Sequence, residues 1–128
     1  MRPLIALVFA LAGTAAAQER TGITAVPLHV FEDPTIPGKE FRVLQTTYAP
    51  GGQNPKHYHA SHVVFYVLEG EGIWQEVDKA PVTLKARESL HARPGTVHAH
   101  RNASSRDKLV FLEFVIVDKG QRSTVPVK

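Results

Sequence analysis

Residues 51–70 read GGQNPKHYHASHVVFYVLEG and place two histidines, His57 and His59, two positions apart. On a β-strand, residues i and i+2 point to the same face, so both imidazoles can reach one ion. The Gly51-Gly52 pair permits the sharp turn from which such a strand would start. The run Val63–Leu68 that follows is apolar at every position, which is typical of a strand buried on both faces.

A second H-x-H pair, His98 and His100, follows a Pro-Gly turn in the stretch PGTVHAHRN at residues 94–102. Two strands that face each other across a barrel could aim these pairs at one point. Imidazole suits iron, zinc, copper and nickel better than calcium or magnesium. The chain has no cysteine, so no thiolate can serve as a ligand. The sequence therefore predicts a site for a divalent transition metal (Fe, Zn, Cu or Ni).

Short segments rich in Val, Ile, Phe, Tyr and Thr recur along the chain, separated by Gly, Pro, Asn and Asp. Short strands with turns between them indicate an all-β sandwich or barrel. No segment after the first 17 residues shows a helical period. The predicted strands are Ile23–Phe31, Phe41–Thr47, Val63–Leu68, Ile73–Val77, Val82–Leu84, Ser89–Ala92, Val97–Arg101 and Leu109–Val117, and the tail from Asp118 is expected to lie on the surface.

The first 17 residues have the order of a secretory signal. Arg2 supplies a positive start, Leu4–Ala12 is an apolar run too short to span a bilayer, and Ala15–Ala17 offers small residues for cleavage. We expect cleavage near Ala17/Gln18, export to a periplasm or beyond, and a single domain over residues 18–128. No membrane association is expected after cleavage.

Composition argues against a nucleic-acid partner. The 128 residues carry a formal net charge of only +3, and lysines and arginines are spread along the chain without a basic run or an interleaved aromatic stripe. No nucleic-acid partner is expected, and a metal site with open positions would instead take a small-molecule ligand or substrate.

The two His-bearing stretches resemble the two motifs of the cupin family, and between them the motifs and their flanking strands cover roughly residues 40–116. Within the family the chain looks like the small exported single-domain cupins. The resemblance implies a double-stranded β-helix (jelly-roll) barrel with a metal ion in its mouth, and often a homodimer. The matching positions are Gly51, His57, His59 and Gly70 in the first motif and Gly95, His98 and Asn102 in the second.

The chain departs from the family pattern at its acidic ligand. The glutamate of the first motif falls on Val63, which cannot ligate, and a proline and a glycine of the pattern fall on Arg93 and Arg87. Carried over residue by residue, the resemblance implies three metal ligands and no carboxylate. These ligands are His57, His59 and His98.

The fourth coordination position is left open by the sequence. His100 shares the strand parity of His98, so it is a candidate fourth ligand, a candidate catalytic general base, or an ordinary hydrogen-bonded histidine of the barrel. His62 is the other candidate fourth ligand, if a turn redirects it. His91 is expected near the site but not on the metal, and His29 is expected to be uninvolved.

Three functions remain open at this point. The first is a metal-dependent enzyme, of dioxygenase type on a small enol, diol or carboxylate, or an isomerase or decarboxylase. The second is a non-catalytic binder of a metal or small ligand in the periplasm, and the third is a barrel that has lost its metal. Trp74 is expected to pack in the core or at a dimer contact, and Glu113 to face solvent.

Overall fold

The structure, a computed structural model, describes residues 20–128 of the chain, so the predicted signal lies outside the described residues. Within that range the chain forms nine β-strands, one more than the eight predicted, and no helix, as expected, and hence no helix that could cross a membrane. The strands are β1 (Thr21–Glu32), β2 (Lys39–His59), β3 (Val63–Glu69), β4 (Glu71–Glu76), β5 (Val82–Lys85), β6 (Ser89–Ala92), β7 (His98–Asn102), β8 (Leu109–Asp118) and β9 (Thr124–Pro126).

The strands follow the order β5-β4-β7-β2-β8-β3-β6, with β1 and β9 also paired to β2. The long strand β2 belongs to both layers. Its first part, 39–48, pairs with β1 and β8, and its last part, 53–59, pairs with β7 and β9. Every pairing is antiparallel, and the sheet curls into a nearly closed barrel, consistent with the expected double-stranded β-helix.

A bulge in β2 decides which side chains enter the barrel. Opposite β7, Asn54 pairs with His100 and His57 pairs with His98, so β2 carries one extra residue between these two pairs. The bulge spans Pro55-Lys56 and shifts the inward parity from even to odd positions. As a result Asn54 and His57 are both buried although they lie three residues apart.

The core fills the space between the two layers with alternate residues of each strand. On β3, Val63, Phe65 and Val67 point inward and are almost fully buried. Trp74 of β4 is 2% exposed, which confirms its expected place in the core. The remaining members of this core are Tyr48, Leu84, Ala92, Leu109, Phe111, Val115 and Val117.

The outer face of the β3–β8 layer is also apolar. Val64, Tyr66 and Leu68 of β3 and Phe114 and Ile116 of β8 are 36–43% exposed. The run Val63–Leu68 is therefore buried on its inner face alone in the single chain, whereas its sequence predicts burial on both faces.

Two boundaries differ from the sequence prediction. The turn predicted at Pro50-Gly51-Gly52 is continuous strand, because Gly51 adopts a φ of +71° that lets β2 bend without ending. The tail after Asp118 is exposed or half-buried, in agreement with the predicted surface position, but its end forms a strand that the sequence did not predict: Thr124–Pro126 is β9 and pairs with 57–59.

Candidate metal centre

Three histidines from two neighbouring strands meet inside the barrel. His57 and His59 lie on β2 and His98 on β7, directly opposite His57. All three are buried, and one ring nitrogen of each lies within 4.8 Å of those of the other two. The structure thus brings together the three residues that the sequence singled out, in a group that could hold a metal ion.

Each of these imidazoles is oriented by a backbone carbonyl. The Nδ1–H of each ring donates to a carbonyl oxygen, which leaves the Nε2 lone pair free for a ligand bond, the arrangement that metal-binding histidines commonly show. The pairs are His57 Nδ1 with Pro55 O at 2.6 Å, His59 Nδ1 with Ser123 O at 3.1 Å, and His98 Nδ1 with Thr96 O at 2.9 Å.

The Nε2 atoms lack the partners that buried polar atoms normally have. His59 Nε2 and His98 Nε2 make no hydrogen bond to any described residue, and His57 Nε2 has only the Asn54 amide at 3.5 Å. A buried acceptor without a partner costs folding free energy, about 1–3 kcal/mol each. A metal ion would satisfy all three atoms at once, so the residues fit a divalent transition metal.

Burial also keeps these rings in the form that binds metals. It lowers the pKa of His59 to about 4 and that of His98 to about 3, with the neighbouring histidines adding to the effect. The pKa of His57 is lowered for the same main reason. A ligating imidazole must be neutral, so the site needs no deprotonation at neutral pH.

A cavity of about 150 Å³ adjoins the three imidazoles. Its wall is mixed, with apolar side chains from the barrel and polar groups from β2, β8 and the C-terminal segment. The lining residues are Arg20, Ala25, Leu44, Tyr48, Asn54, His57, His59, Phe65, His98, His100, Glu113, Ser123 and Thr124.

Glu113 is the residue of this cavity that sequence reasoning missed. The expectation that it faces solvent was wrong, because it lies on the inner face of β8 with Phe111 and Val115. Both faces of β8 are apolar in sequence, so periodicity does not tell inside from outside, and a carboxylate is assigned to solvent by default. The available indication was that Glu113 lies two residues after Phe111, so that both side chains point to the same face of the strand.

His100 does not join the three-histidine group, although it points inward as predicted. It is 3% exposed, and its ring lies 5.1–5.2 Å from the rings of Tyr48 and Phe111. Its Nε2 has no hydrogen-bond partner among residues 20–128, and a Cβ on Gly72 would lie 2.7 Å from that atom. Glycine at 72 is therefore what leaves room for this ring. Burial lowers the pKa of His100 to about 3, which makes it a weak base near neutral pH.

His62 lies outside the barrel, away from the three histidines. Its Nδ1 is 2.8 Å from Nε2 of His91, and both residues are exposed. The structure therefore brings neither of them into the site. His29 is exposed on β1, as expected for a residue that takes no part.

A wider and more basic cavity of about 610 Å³ opens next to the first one. The two cavities share a wall formed by Arg20, Asn54, His57, Ser123 and Thr124. The outer cavity adds Arg42, Lys56 and Arg122, and none of the described residues that line it is acidic. Arg42 is held by Glu40 and by the carbonyl of Gln121. The approach to the three histidines is thus lined by cations.

The sequence from residue 44 to residue 120 matches the family model of the cupin domain. The chain belongs to the cupin family. No curated protein matches this cupin in sequence.

Solved cupin structures resemble this cupin over most of its length. A cupin-like protein from Thermotoga maritima has a TM-score of 0.61 and 25% identity, covering 73% of this chain and 68% of its own. The polyketide cyclase RemF from Streptomyces resistomycificus has a TM-score of 0.65 and 19% identity, covering 84% and 72%. A variant of salicylate 1,2-dioxygenase from Pseudoaminobacter salicylatoxidans has a TM-score of 0.51 and 23% identity, covering 58% and 21%. The last two likenesses concern the fold alone.

Asn102, a position of the second cupin motif, serves the fold of this cupin rather than its metal group. Its amide donates to the carbonyls of Tyr48, Ala49 and Asp107 at 2.7–3.2 Å, and its Oδ1 accepts from Ser104 N at 2.9 Å. These bonds tie the end of β7 to β2 and to the loop before β8. Asn102 thereby helps to keep β7, and with it His98, in register.

Proposed function

We propose that this cupin is an exported metal-dependent enzyme of dioxygenase type that acts on a small enol, diol or carboxylate. The observation that carries the proposal is the set of three buried imidazoles whose Nε2 atoms lack full partners and border a cavity with polar walls. Catalytic metal sites with three protein ligands keep positions open for water or substrate.

The charge of the site favours an anionic ligand. Three neutral imidazoles leave a divalent ion its full charge, because Val63 stands where the family has a glutamate. The arginines and lysine of the outer cavity add positive potential along the approach. A small carboxylate or enolate is therefore the substrate class that the site supports best.

The residues around the cavity would bind the metal and enclose the substrate. His57, His59 and His98 would hold the metal, which when bound supplies Lewis-acid and, if it is iron, redox chemistry. Phe65 and Tyr48 line the cavity that the three histidines border, and the cations of the outer cavity would attract an acidic substrate. Cupin structures with related folds include a dioxygenase and a cyclase, which supports the class by analogy of fold alone.

The leader-like residues 1–17 support export, and a periplasmic or secreted location belongs to the proposal. So does a homodimer, which the apolar outer face of β3 and β8 supports, because patches of this kind mark contact surfaces.

The test of the proposed function is oxygen consumption by the iron-loaded protein with a panel of small enols, diols and 2-hydroxy acids. Turnover of any member that disappears in His98→Ala supports the proposal. Tight metal binding without turnover of any member would instead support the alternative, a non-catalytic binder of a metal or small ligand.

A further inference from the structure

Glu113 stands in an unusual place for a carboxylate. It lies on β8 with Leu44 of β2 on one side and Phe65 of β3 on the other, both in register with it. Its side chain lines the cavity that the three histidines border. Glu113 on β8 therefore borders the same cavity as the three histidines on β2 and β7.

The carboxylate is only partly satisfied by its surroundings. Thr46 donates to its Oε1 at 3.0 Å, and no other hydrogen bond or ion pair to Glu113 occurs among residues 20–128. The other titratable groups facing it across the cavity are Arg20, Tyr48 and the four buried histidines. Burial raises the pKa of Glu113, and the Thr46 bond and the charge of Arg20 reduce this shift.

Folding alone gives no reason for an acid at this position. A half-buried carboxylate with one hydrogen bond to the described residues costs folding free energy, whereas glutamine or leucine would fill the same space without charge. A partly desolvated ionisable group beside a cavity with candidate metal ligands is characteristic of catalytic sites. The second oxygen, Oε2, makes no hydrogen bond to residues 20–128 and is the atom that a ligand could reach.

We infer that Glu113 is the proton-transfer residue of the site, acting on a carbonyl or enol substrate held beside the three histidines. In the forward step a C–H bond next to the carbonyl breaks and an O–H bond forms on Glu113. The electron pair moves into the substrate to give an enolate, and the protonated Glu113 later returns the proton. No oxidant or reductant is consumed. The inference rests on the proposed function, since it needs a small enol substrate, or the carbonyl tautomer of that enol, at the site.

The experiment follows hydrogen exchange on pyruvate, a small carboxylate with an enolisable methyl group. The metal-loaded full chain is incubated with pyruvate in D₂O, and loss of the methyl signal is measured by ¹H NMR. Wild type is compared with Glu113→Gln, which keeps the size of the side chain, and with Glu69→Gln, which removes an exposed carboxylate paired with Lys108. Metal content, pyruvate affinity and thermal melting are measured for each protein.

The expected result is exchange at the wild-type rate in Glu69→Gln and a loss of at least about 100-fold in Glu113→Gln, with metal content and pyruvate affinity unchanged. Wild-type exchange should rise with pH as Glu113 ionises. In Thr46→Val this rise should move to higher pH, because the hydrogen bond that favours the carboxylate is gone. A purely structural role would leave the position of the rise unchanged.

A second readout does not depend on turnover. In metal-free protein labelled with ¹³C at glutamate carboxyls, one signal should titrate at higher pH than the others and be missing from Glu113→Gln. Equal exchange in Glu113→Gln and wild type would overturn the inference, and so would loss of metal from Glu113→Gln, which would make Glu113 a ligand. Failure of loaded wild type to bind pyruvate or any enol would instead refute the proposed function, and the inference with it.

Discussion

The indole of Trp74 stacks on the imidazole of His98, with ring centroids 3.6 Å apart and ring planes 18° apart. The contact joins β4 to β7 inside the barrel and fixes one face of a candidate ligand, while Thr96 O fixes its edge. The metal group therefore depends on the apolar core as well as on its own histidines.

Replacing this indole should weaken metal binding without touching a ligand. Trp74→Leu should lower metal affinity by about 10–100-fold, the range typical of groups that orient a ligand, and should lower the melting temperature as a core truncation. Trp74→Phe, which keeps a stacking ring, should retain most of the affinity. Competition with a chromophoric chelator measures both variants, and equal loss in the two would show that stacking is not what positions His98.

The stability of the metal-free protein should fall on acidification. The folded-state pKa values of His59, His98 and His100 are about 4, 3 and 3, below their ordinary value of 6.5. Between about pH 6.5 and pH 4 the unfolded chain therefore binds more protons than the folded one, so the free energy of unfolding decreases as pH decreases. Urea unfolding in the presence of a chelator at several pH values measures this slope, and a flat profile over the window would contradict it.

Glu113 should have the opposite effect on the pH dependence of stability from that of the buried histidines. Its raised pKa means that the folded form holds a proton to higher pH than the unfolded form. Its contribution to stability is therefore complete below the ordinary carboxyl range and is lost as pH rises through the raised pKa. Glu113→Gln should accordingly gain stability over wild type as pH increases, in the same urea series.

Position 63, where the cupin motif has a glutamate and this chain has Val63, should be destabilised by a glutamate. Val63 is fully buried among core side chains and does not line the cavity, whereas its neighbour Val64 is 40% exposed on the outer face. Val63→Glu should destabilise the metal-free protein by about 2–5 kcal/mol, because the carboxyl would be buried without a partner. Val64→Glu is the matched control. It should lower the free energy of unfolding of the monomeric, metal-free protein by less than about 1 kcal/mol. Similar melting of the two variants would place Val63 beside the ion rather than in the core.

The apolar outer face should mediate a homodimer. Phe114 and Val64 are direct neighbours across β8 and β3 and are both exposed in the single chain. Phe114→Glu should convert a dimer to a monomer in sedimentation velocity, while Val82→Glu, on the exposed strand β5, should leave the mass unchanged. A monomeric wild type at high micromolar concentration would refute this prediction.

Local spacing in the sequence was sufficient for eight strands and for the pair His57 and His59, whereas His98 was assigned to the same site through the resemblance to the cupin motifs. Alternation and turn residues locate eight of the nine strands, and the H-x-H pair of β2 needs only a strand to place both rings on one face. Registry between strands is not local. The bulge at Pro55-Lys56, which sets His57 opposite His98, is not visible as a pattern.

The sequence could not predict which residues of β8 and of the C-terminal segment line the interior of the barrel. The strand β8 is apolar on both faces, so the burial of Glu113 depends on which face the other layer covers. The short strand β9 has too few residues for a period and forms only because β2 offers it an edge. Its neighbour Ser123 provides the carbonyl that orients His59. The positions of the Glu113 side chain and the Ser123 carbonyl therefore both depend on how strands pair in the folded protein.

Metal stoichiometry tests most directly whether His57, His59 and His98 hold one transition metal ion. Untagged protein is loaded with Fe²⁺ or Zn²⁺, dialysed and analysed for metal per chain, together with His57→Ala, His98→Ala and the exposed control His29→Ala. We expect about one ion per chain in wild type and His29→Ala, as for a single three-histidine site, and loss of most of the metal in His57→Ala and His98→Ala. Equal metal content in all four proteins, or no metal in wild type with either ion, would show that these histidines are not the ligands of a metal site.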